Sequence, residues 1–420
     1  SNKLVKSKLL LVVLASCQLG LFPPAAGQEE YDERETLYVG LLARNLLGNY
    51  IVPCTSYDFG LPAGSPSPLQ SPENCGTPER VELGRLLFYD KRLSGDETMS
   101  CASCHRQEFA FSDRKVRPRG IAHGSFPSGE LHPRNSQHLS NVAYNISLTW
   151  ANSTQLTLES QAAGPLFAEE GPSTIVELGF NSSQLEKIKA DSTYRSRFAV
   201  AYPGQGMDEL GIRRALSVFQ RSMHSFQSPF DQHFRGTGSM SAAAVRGLHI
   251  FNGETAECFH CHGGFNFSDS TTTAHSASSG ALFHNNGLYT KAEYAAKPLR
   301  ERGLIDVTGK EHHEGLFKAP SLRNVGLTYP YMHDGSIACD GAYESDPDAC
   351  GRNALGKVID HYQSGGKAHP TKDATLIRPF SLTAQERSDL IEFLMALTDQ
   401  DFISRQSLSN PQPANPLFGP

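Results

Sequence analysis

Two short stretches share one pattern of reactive side chains, Cys101-Ala-Ser-Cys104-His105 and Cys258-Phe-His-Cys261-His262. Two thiols at this spacing lie about one helical turn apart, so both can form thioethers with the vinyl groups of one porphyrin. The histidine that follows can then bind the iron from one side. One copy would also fit a redox pair or half of a zinc site, but two copies indicate two covalently bound haem c groups. We therefore expect His105 and His262 to be proximal iron ligands.

The opposite face of each haem decides what the haem does. A haem with two protein ligands carries electrons, whereas a haem with an open face can bind peroxide. The chain has 16 histidines and 6 methionines, so spacing alone does not choose the second ligands. The motifs by themselves leave an enzyme and a non-enzymatic electron carrier open.

The other cysteines indicate an oxidising compartment. Cys54 and Cys75 flank a loop rich in proline, serine and glycine, and Cys339 and Cys350 flank a short insertion rich in aspartate and glycine. Both pairs are candidate disulfides of an exported protein. Cys17 is left over from the nine cysteines of the chain.

The N-terminal residues 1–27 have the features of an export segment. Three lysines precede an apolar run, residues 9–15, that is too short for a transmembrane helix. Leu14-Ala-Ser-Cys17 resembles a bacterial lipobox, which would make Cys17 a lipid anchor. Ala25-Ala26-Gly27 is the alternative cleavage site and would release a free protein. Either processing route predicts the periplasm or the extracytoplasmic membrane surface.

Composition describes an ordinary globular protein with 39% hydrophobic residues and a net charge of −6. Its 420 residues are enough for two domains with hydrophobic cores. No basic stretch is interleaved with aromatic residues, so nucleic acid is not an expected partner.

Helical patterns precede each haem motif and recur along the chain, while long β-type alternation is absent. A capping box, Thr383-Ala-Gln-Glu386, begins a C-terminal helix. The expected fold is mainly α, with two cytochrome c-like haem domains and extensive loops. Apolar spacing predicts helices near residues 81–88, 153–163, 182–200, 212–226 and 242–251. The expected domains are 1–27 (export segment), 28–77 (N-terminal extension), 78–236 (N-terminal haem domain), 237–405 (C-terminal haem domain) and 406–420 (loose tail), with a linker at 229–239.

Several longer stretches resemble the bacterial di-haem cytochrome c peroxidase superfamily. The resemblance runs in order from about residue 78 to residue 400 and includes both haem motifs. It implies a peroxide-reactive N-terminal haem and an electron-transferring C-terminal haem. The matching stretches are Leu83–Ser94, Arg134–Ser136, Gln161–Pro165, Ser228–Asp231 and Pro320–Gly335.

One position indicates the subtype within that superfamily. Ordinary peroxidases bind the C-terminal haem through a methionine, whereas the matching residue here is Tyr362. This is similar to the MauG and MbnH branch, in which a tyrosine is the axial ligand. A phenolate is a hard anionic donor and stabilises oxidised iron. The neighbouring His361 is the rival ligand, and Met332 and His333 are expected to be structural members of a turn.

The resemblance also assigns residues around the haems. Trp150, the only tryptophan, matches the tryptophan between the two haems and is expected to relay charge. Glu177 is expected to be the acid/base group that moves a proton between the peroxide oxygens. An insertion makes Glu170 the alternative. Gln161 and Pro165 are expected to line the same pocket.

Two further assignments follow from the resemblance. A loop histidine caps the N-terminal haem in some resting peroxidases, and His123 or His132 would be that residue, but the MauG-like context argues against a cap. A Ca²⁺ ion is implied between the domains, held by oxygen ligands from Asn135, Thr328 and Pro330.

The function implied is that of an exported di-haem enzyme that uses H₂O₂ to reach a high-valent, bis-Fe(IV)-like state. That state would oxidise a tryptophan or tyrosine of a partner protein. Tryptophan would become kynurenine if the partner resembles the MbnP type. The alternative is a conventional cytochrome c peroxidase that reduces H₂O₂ with electrons from a small redox protein.

Overall fold

The computed structural model describes residues 57–120, 131–167, 176–275, 282–298 and 301–420. The chain divides into two units, Ser1–Pro53 and Cys54–Pro420, and every described residue belongs to the second unit. The export segment with Cys17, as well as Cys54, His123 and Glu170, lies outside the described residues. Within the described ranges, no helix has both the length and the apolar character needed to cross a membrane.

The regular secondary structure of the described residues is helical, and β-structure among them is limited to isolated bridges. This agrees with the expected mainly α fold and its extensive loops. The helices are α1 (Pro78–Tyr89), α2 (Leu158–Gln161), α3 (Ala163–Leu166), α4 (Ser182–Ala190), α5 (Ser192–Ala201), α6 (Glu209–Arg221), α7 (Pro229–Arg235), α8 (Ala242–Phe251), α9 (Lys291–Ala295), α10 (Ile305–Thr308), α11 (Pro347–Gln363), α12 (Ala384–Met395) and α13 (Gln400–Ser404).

The same helix crossing occurs once in each half of the chain. Gly84 of α1 packs against the carbonyl of Ala215 in α6, and Gly247 of α8 packs against the carbonyl of Asp389 in α12. A Cβ atom would lie 2.0 Å from the first oxygen and 1.9 Å from the second. Only glycine allows two backbones to approach this closely. In both halves, the helix with this glycine is the one that leads to a haem motif.

Two hydrophobic clusters form around these crossings. The N-terminal core contains buried residues from Val81 to Met223. The C-terminal core contains buried residues from Met240 to Leu397. Burial of these apolar side chains is the main favourable contribution to folding, and it fixes the loops that carry the haem motifs.

The expected loose tail is wrong, because the C-terminal residues pack into the N-terminal core. Phe402 of α13, Leu408 and Phe418 all belong to that core. The Tyr89 hydroxyl donates to the Leu408 carbonyl at 2.7 Å. Apolar anchors and backbone hydrogen bonds therefore hold a segment whose proline, asparagine and serine content resembles that of a loop.

Four expected elements have different bounds. The helix expected at 212–226 spans Glu209–Arg221, since Asp208 caps it. The helix expected at 153–163 begins only at Leu158, since Thr157 caps it. The helix expected at 182–200 is divided at Asp191, whose side chain caps α5. The expected linker contains α7, which begins with a capping box between Ser228 and Asp231. In each case a short polar side chain bonds to backbone N–H groups and sets the helix start.

Disulfide bonding involves three of the four cysteines proposed for it. Cys339 and Cys350 are joined, which ties the insertion to the first turn of α11. Cys75 is disulfide-bonded, and its expected partner Cys54 lies outside the described residues. The Cys339–Cys350 bridge matters for the site because α11 carries Tyr362 in its last turn.

Candidate functional site

Each haem motif holds its histidine in the same way. The Nδ1 atom of His105 lies 2.8 Å from the Phe111 carbonyl, and that of His262 lies 3.1 Å from the Phe267 carbonyl. A carbonyl only accepts, so each Nδ1 carries the proton and each Nε2 lone pair is left for a metal. Burial lowers the pKa of both histidines, which favours the neutral, metal-binding form.

The carbonyl that orients each histidine comes from a phenylalanine with left-handed backbone geometry. The φ angle is 61° at Phe111 and 51° at Phe267. This geometry is uncommon for large side chains and occurs mostly where the surrounding structure enforces it. The two motifs are thus closed by equivalent turns, although the sequences of the turns differ.

The thiols of both motifs are available for covalent attachment. All four are free, partly buried cysteines in or directly after a turn of 3₁₀ helix, and burial raises the pKa of each, which favours the neutral thiol. Together with the oriented histidines, this donor set fits two haem c groups. The cysteines are Cys101, Cys104, Cys258 and Cys261.

One cavity of about 250 Å³ joins the second motif to most of the residues assigned by resemblance. His262 and its two cysteines form part of the wall. The rest of the wall comes from residues that are far apart in the sequence, so no short stretch of sequence contains the whole site. The predicted residues that line the cavity are Asn135, Trp150, Thr328, Pro330 and Tyr362.

Tyr362 faces this cavity with its hydroxyl beside two other polar groups. The Asn286 amide donates to the Tyr362 hydroxyl at 3.3 Å and lies 3.5 Å from the Met332 sulfur. Burial raises the pKa of Tyr362 to about 12, while the Asn286 hydrogen bond acts in the opposite direction. His361 has its Nε2 3.1 Å from the Asn286 carbonyl and does not line the cavity.

Trp150 is held between the loops that surround the cavity. Its indole N–H donates to the Asn135 carbonyl at 2.8 Å. Its own carbonyl accepts from the Lys318 N–H at 2.8 Å. The Lys318 ammonium is buried against the Ser147 carbonyl at 2.9 Å, and burial lowers its pKa to about 7. These bonds fix the indole ring in the cavity wall.

Glu177 lies beside the first haem motif. Its carboxylate is 3.2 Å from Nε2 of His132. Burial raises the pKa of Glu177, but the hydrogen bond from His132 and the charges of His132 and His105 lower it overall. The backbone fixes this position, because the N–H of Leu178 donates to the Pro165 carbonyl at 3.1 Å.

The remaining predicted residues have the following positions. Gln161 ends α2. Pro165 lies in α3, and its carbonyl accepts a hydrogen bond from the Leu178 N–H. Asn135 is buried, and its amide nitrogen donates to the Lys115 and Val116 carbonyls at 2.7 and 3.3 Å. Its amide oxygen is then the group suited to a hard cation such as Ca²⁺.

Asn286 and Lys318 were not found from the sequence. Asn286 contacts Tyr362 across 76 residues, and its Asn-Asn-Gly context resembles an ordinary turn. Lys318 has no charged neighbour in sequence that would single it out. A lysine between apolar residues, in Leu316-Phe-Lys-Ala-Pro320, was the only available signal, because a charge inside an apolar run is unusual.

Comparison with known proteins gives a consistent answer. A sequence profile of the di-haem cytochrome c peroxidase family matches residues 78–239. The cytochrome-c peroxidase IdrP1 of Pseudomonas sp. (strain SCT) is 30% identical over 408 residues, which cover 93% of this chain and 99% of IdrP1. The methylamine utilization protein MauG of Methylorubrum extorquens is 31% identical and covers 81% of this chain and 83% of MauG.

Solved structures agree on the fold. A MauG-like protein associated with microbial copper homeostasis is 37% identical, has a TM-score of 0.75, and covers 84% of this chain and 99% of that chain. The di-haem peroxidase BthA of Burkholderia thailandensis shares the fold with a TM-score of 0.57 at 19% identity, covering 79% of this chain and 88% of that chain. The two haem motifs therefore hold two haem c groups. The chain belongs to the di-haem cytochrome c peroxidase family and is a haem-dependent oxidoreductase that acts with peroxide.

Proposed function

We propose that this enzyme uses H₂O₂ to oxidise a tryptophan or tyrosine of a partner protein. The observation that carries the proposal is the hydroxyl of Tyr362 in the cavity of the second haem motif, 3.3 Å from the Asn286 amide. A phenol at this position supports a haem that stores oxidising equivalents rather than one that only passes electrons. When bound, the two haems supply two-electron oxidation by peroxide.

At the first motif, Glu177 and His132 are suited to handle the protons of peroxide. Nε2 of His132 lies 3.2 Å from the Glu177 carboxylate, which accepts a hydrogen bond when ionised, so this nitrogen is suited to carry a proton toward Glu177. An ionised Glu177 can take a proton from one peroxide oxygen and return it to the other, which assists cleavage of the O–O bond. We propose that Gln161 and Pro165 line the same pocket. We do not propose His132 as a ligand that caps the first haem.

At the second motif, Asn286 prepares Tyr362 for binding to iron. An amide N–H that donates to the phenol oxygen stabilises its anionic form. The anion is the form that binds ferric iron. Burial alone would oppose ionisation of Tyr362, so the metal charge and this hydrogen bond must act together.

Trp150 lines the cavity of the second motif and is proposed as the relay that shares charge between the two motifs. Its indole N–H is bonded to the Asn135 carbonyl, which holds the ring in one orientation. We further propose that Asn135, Thr328 and Pro330 bind Ca²⁺ at this junction. Oxygen ligands from separate loops would then fix the distance between the two halves.

The partner is proposed to be a protein of the MbnP type, with oxidation of a tryptophan to kynurenine. Support comes from the similarity to a MauG-like protein that is associated with microbial copper homeostasis. We also propose export to the periplasm, either as a free protein or with a lipid anchor at Cys17. The disulfide between Cys339 and Cys350 supports an oxidising compartment.

A conventional cytochrome c peroxidase is the second candidate, and one contact favours it. The Met332 sulfur lies 3.5 Å from the same Asn286 amide that bonds to Tyr362. A thioether ligand would make the second haem an electron carrier supplied by a small cytochrome. The relative IdrP1 is a cytochrome-c peroxidase.

Replacement of Tyr362 by Phe separates the two candidates. With stoichiometric H₂O₂, the diferric wild-type protein is expected to give a long-lived near-infrared absorption band, and Tyr362→Phe is expected to lose it. Tyr331→Phe is the matched control, because Tyr331 lines the same cavity but donates its hydroxyl to the Val325 carbonyl at 2.7 Å. Retention of the band in Tyr362→Phe, or fast turnover of reduced cytochrome c without any band, would favour the conventional peroxidase.

A further inference from the structure

A second oxidisable side chain packs against the same small cluster as Trp150. Ala151, Tyr294 and Phe317 form a small buried cluster, and both Trp150 and Tyr289 pack against it. Tyr289 is only partly buried, whereas Tyr294 is fully buried. Electron transfer between aromatic rings weakens steeply with distance, so two rings on one cluster are suited to exchange an electron. Tyr289 and Trp150 are both partly exposed, and Trp150 lines the cavity of the second motif.

Tyr289 has a proton acceptor, which an oxidisable tyrosine needs. Its hydroxyl donates to the Asp334 carboxylate at 2.6 Å. The carboxylate oxygen that receives this hydrogen bond can take up the phenolic proton when the ring loses an electron.

The ammonium groups of two lysines lie over the Tyr289 ring. The Lys297 ammonium lies 4.0 Å from the ring centroid and that of Lys367 lies 5.3 Å from it. The Lys367 side chain is 47% exposed, so this side of the ring is at the molecular surface. A cation above the ring attracts its π electrons and opposes oxidation of the protonated phenol. Transfer of the proton to Asp334 leaves a neutral radical, which the lysines do not destabilise in this way.

We propose that Tyr289 is the surface relay through which a residue of a docked protein delivers electrons to Trp150 and the haem pair. In each step one electron leaves Tyr289 toward Trp150, its O–H bond breaks, and the proton moves to Asp334. An electron from an oxidisable tryptophan or tyrosine of the partner then restores Tyr289, which recovers its proton. Two such steps supply the two electrons that reduce H₂O₂ to water. The relay rests on the proposed function.

The experiment treats the diferric holoenzyme with one equivalent of H₂O₂ and no partner protein. Tyrosine deuterated at Cβ is incorporated, and freeze-quench EPR is recorded while the near-infrared band decays. We expect a radical signal narrowed by deuteration, which identifies it as tyrosyl. Tyr289→Phe is expected to remove this signal and to prolong the band by about tenfold or more.

Tyr294→Phe is the matched control. Tyr294 belongs to the same cluster, but its buried hydroxyl has no hydrogen-bond partner among the described residues, so it has no acceptor for its proton. We expect this variant to keep both the tyrosyl signal and the wild-type decay of the band. A tyrosyl signal that persists unchanged in Tyr289→Phe overturns the relay, as does a wild-type band that decays without any tyrosyl signal. If the wild-type band never forms, the proposed function fails and the relay fails with it.

Discussion

At the level of single residues, the histidines of the two haem motifs are alike, and the differences lie in the groups near each motif. His105 and His262 each donate through Nδ1 to a phenylalanine carbonyl. Near the first, Glu177 offers a carboxylate. Near the second, Tyr362 offers a phenol. In the proposed function, this asymmetry assigns proton handling to one half of the molecule and charge storage to the other.

Glu177→Gln is expected to slow the reaction with H₂O₂ by about 10²–10⁴-fold, because the amide cannot accept a proton. The first spectral change after mixing in stopped flow measures this rate. The pKa of Glu177 is lowered overall, so the carboxylate is ionised through the neutral range. The wild-type rate should therefore stay level as pH falls and drop only below the ordinary range for a glutamate.

Glu97→Gln provides the control for that measurement, since Glu97 pairs with Lys187 at the surface. Its rate should match that of the wild type at every pH. A rate for Glu177→Gln within a factor of about two of the wild-type rate would remove Glu177 from the proton-transfer role.

At the level of elements, a glycine in the helix before each haem motif allows that helix to pack closely against a second helix. α1 and α6 meet at Gly84, and α8 and α12 meet at Gly247. The two glycines are 163 positions apart and the sequences around them differ, yet both put a backbone carbonyl where a side chain would otherwise be. In each half of the chain, a glycine therefore allows the same close contact between two helices.

Gly247→Ala is expected to lower the free energy of unfolding by about 1–3 kcal/mol or more, because the new methyl group must displace the Asp389 carbonyl. Thermal unfolding of the holoenzyme, followed by circular dichroism, measures the change. Gly206→Ala is the control, since no atom lies within 4 Å of a Cβ at that position. Equal melting temperatures for the two variants would show that the crossing can relax.

At the level of the whole molecule, the C-terminal residues pack against the N-terminal core. After α12 completes the C-terminal core, α13 and the following residues return to the N-terminal core. Gly419 accepts a hydrogen bond from Ser100 at 2.7 Å, and Ser100 caps the turn that begins at Cys101. The C-terminal residues therefore support the first haem motif directly.

Leu408→Ala is expected to destabilise the protein by about 2–5 kcal/mol, because Leu408 is 2% exposed in the N-terminal core. Urea unfolding of the holoenzyme measures this loss. Leu156→Ala removes the same atoms from a side chain that is 55% exposed, and it should change stability little. Comparable losses in both variants would contradict the structural role of the C-terminal residues.

The sequence by itself determined the features that depend on local spacing. The two C-x-x-C-H motifs, the capping box at Thr383 and Glu386, and the bounds of α8 all follow from residues within a few positions of one another. Local hydrogen bonds and covalent spacing need no knowledge of the rest of the fold. The resemblance to a known family added Trp150 and Tyr362, which no local rule would have selected.

Only the tertiary structure decided which distant groups meet. The contact of Asn286 with Tyr362 spans 76 residues, and the hydrogen bond between Tyr89 and Leu408 spans 319. The pairing of Tyr289 with Asp334 is of the same kind. Such contacts form because two hydrophobic cores bring loops together, and their partners carry no mark in the sequence. Polar groups brought into a buried site must find hydrogen bonds there, and that requirement completed the site.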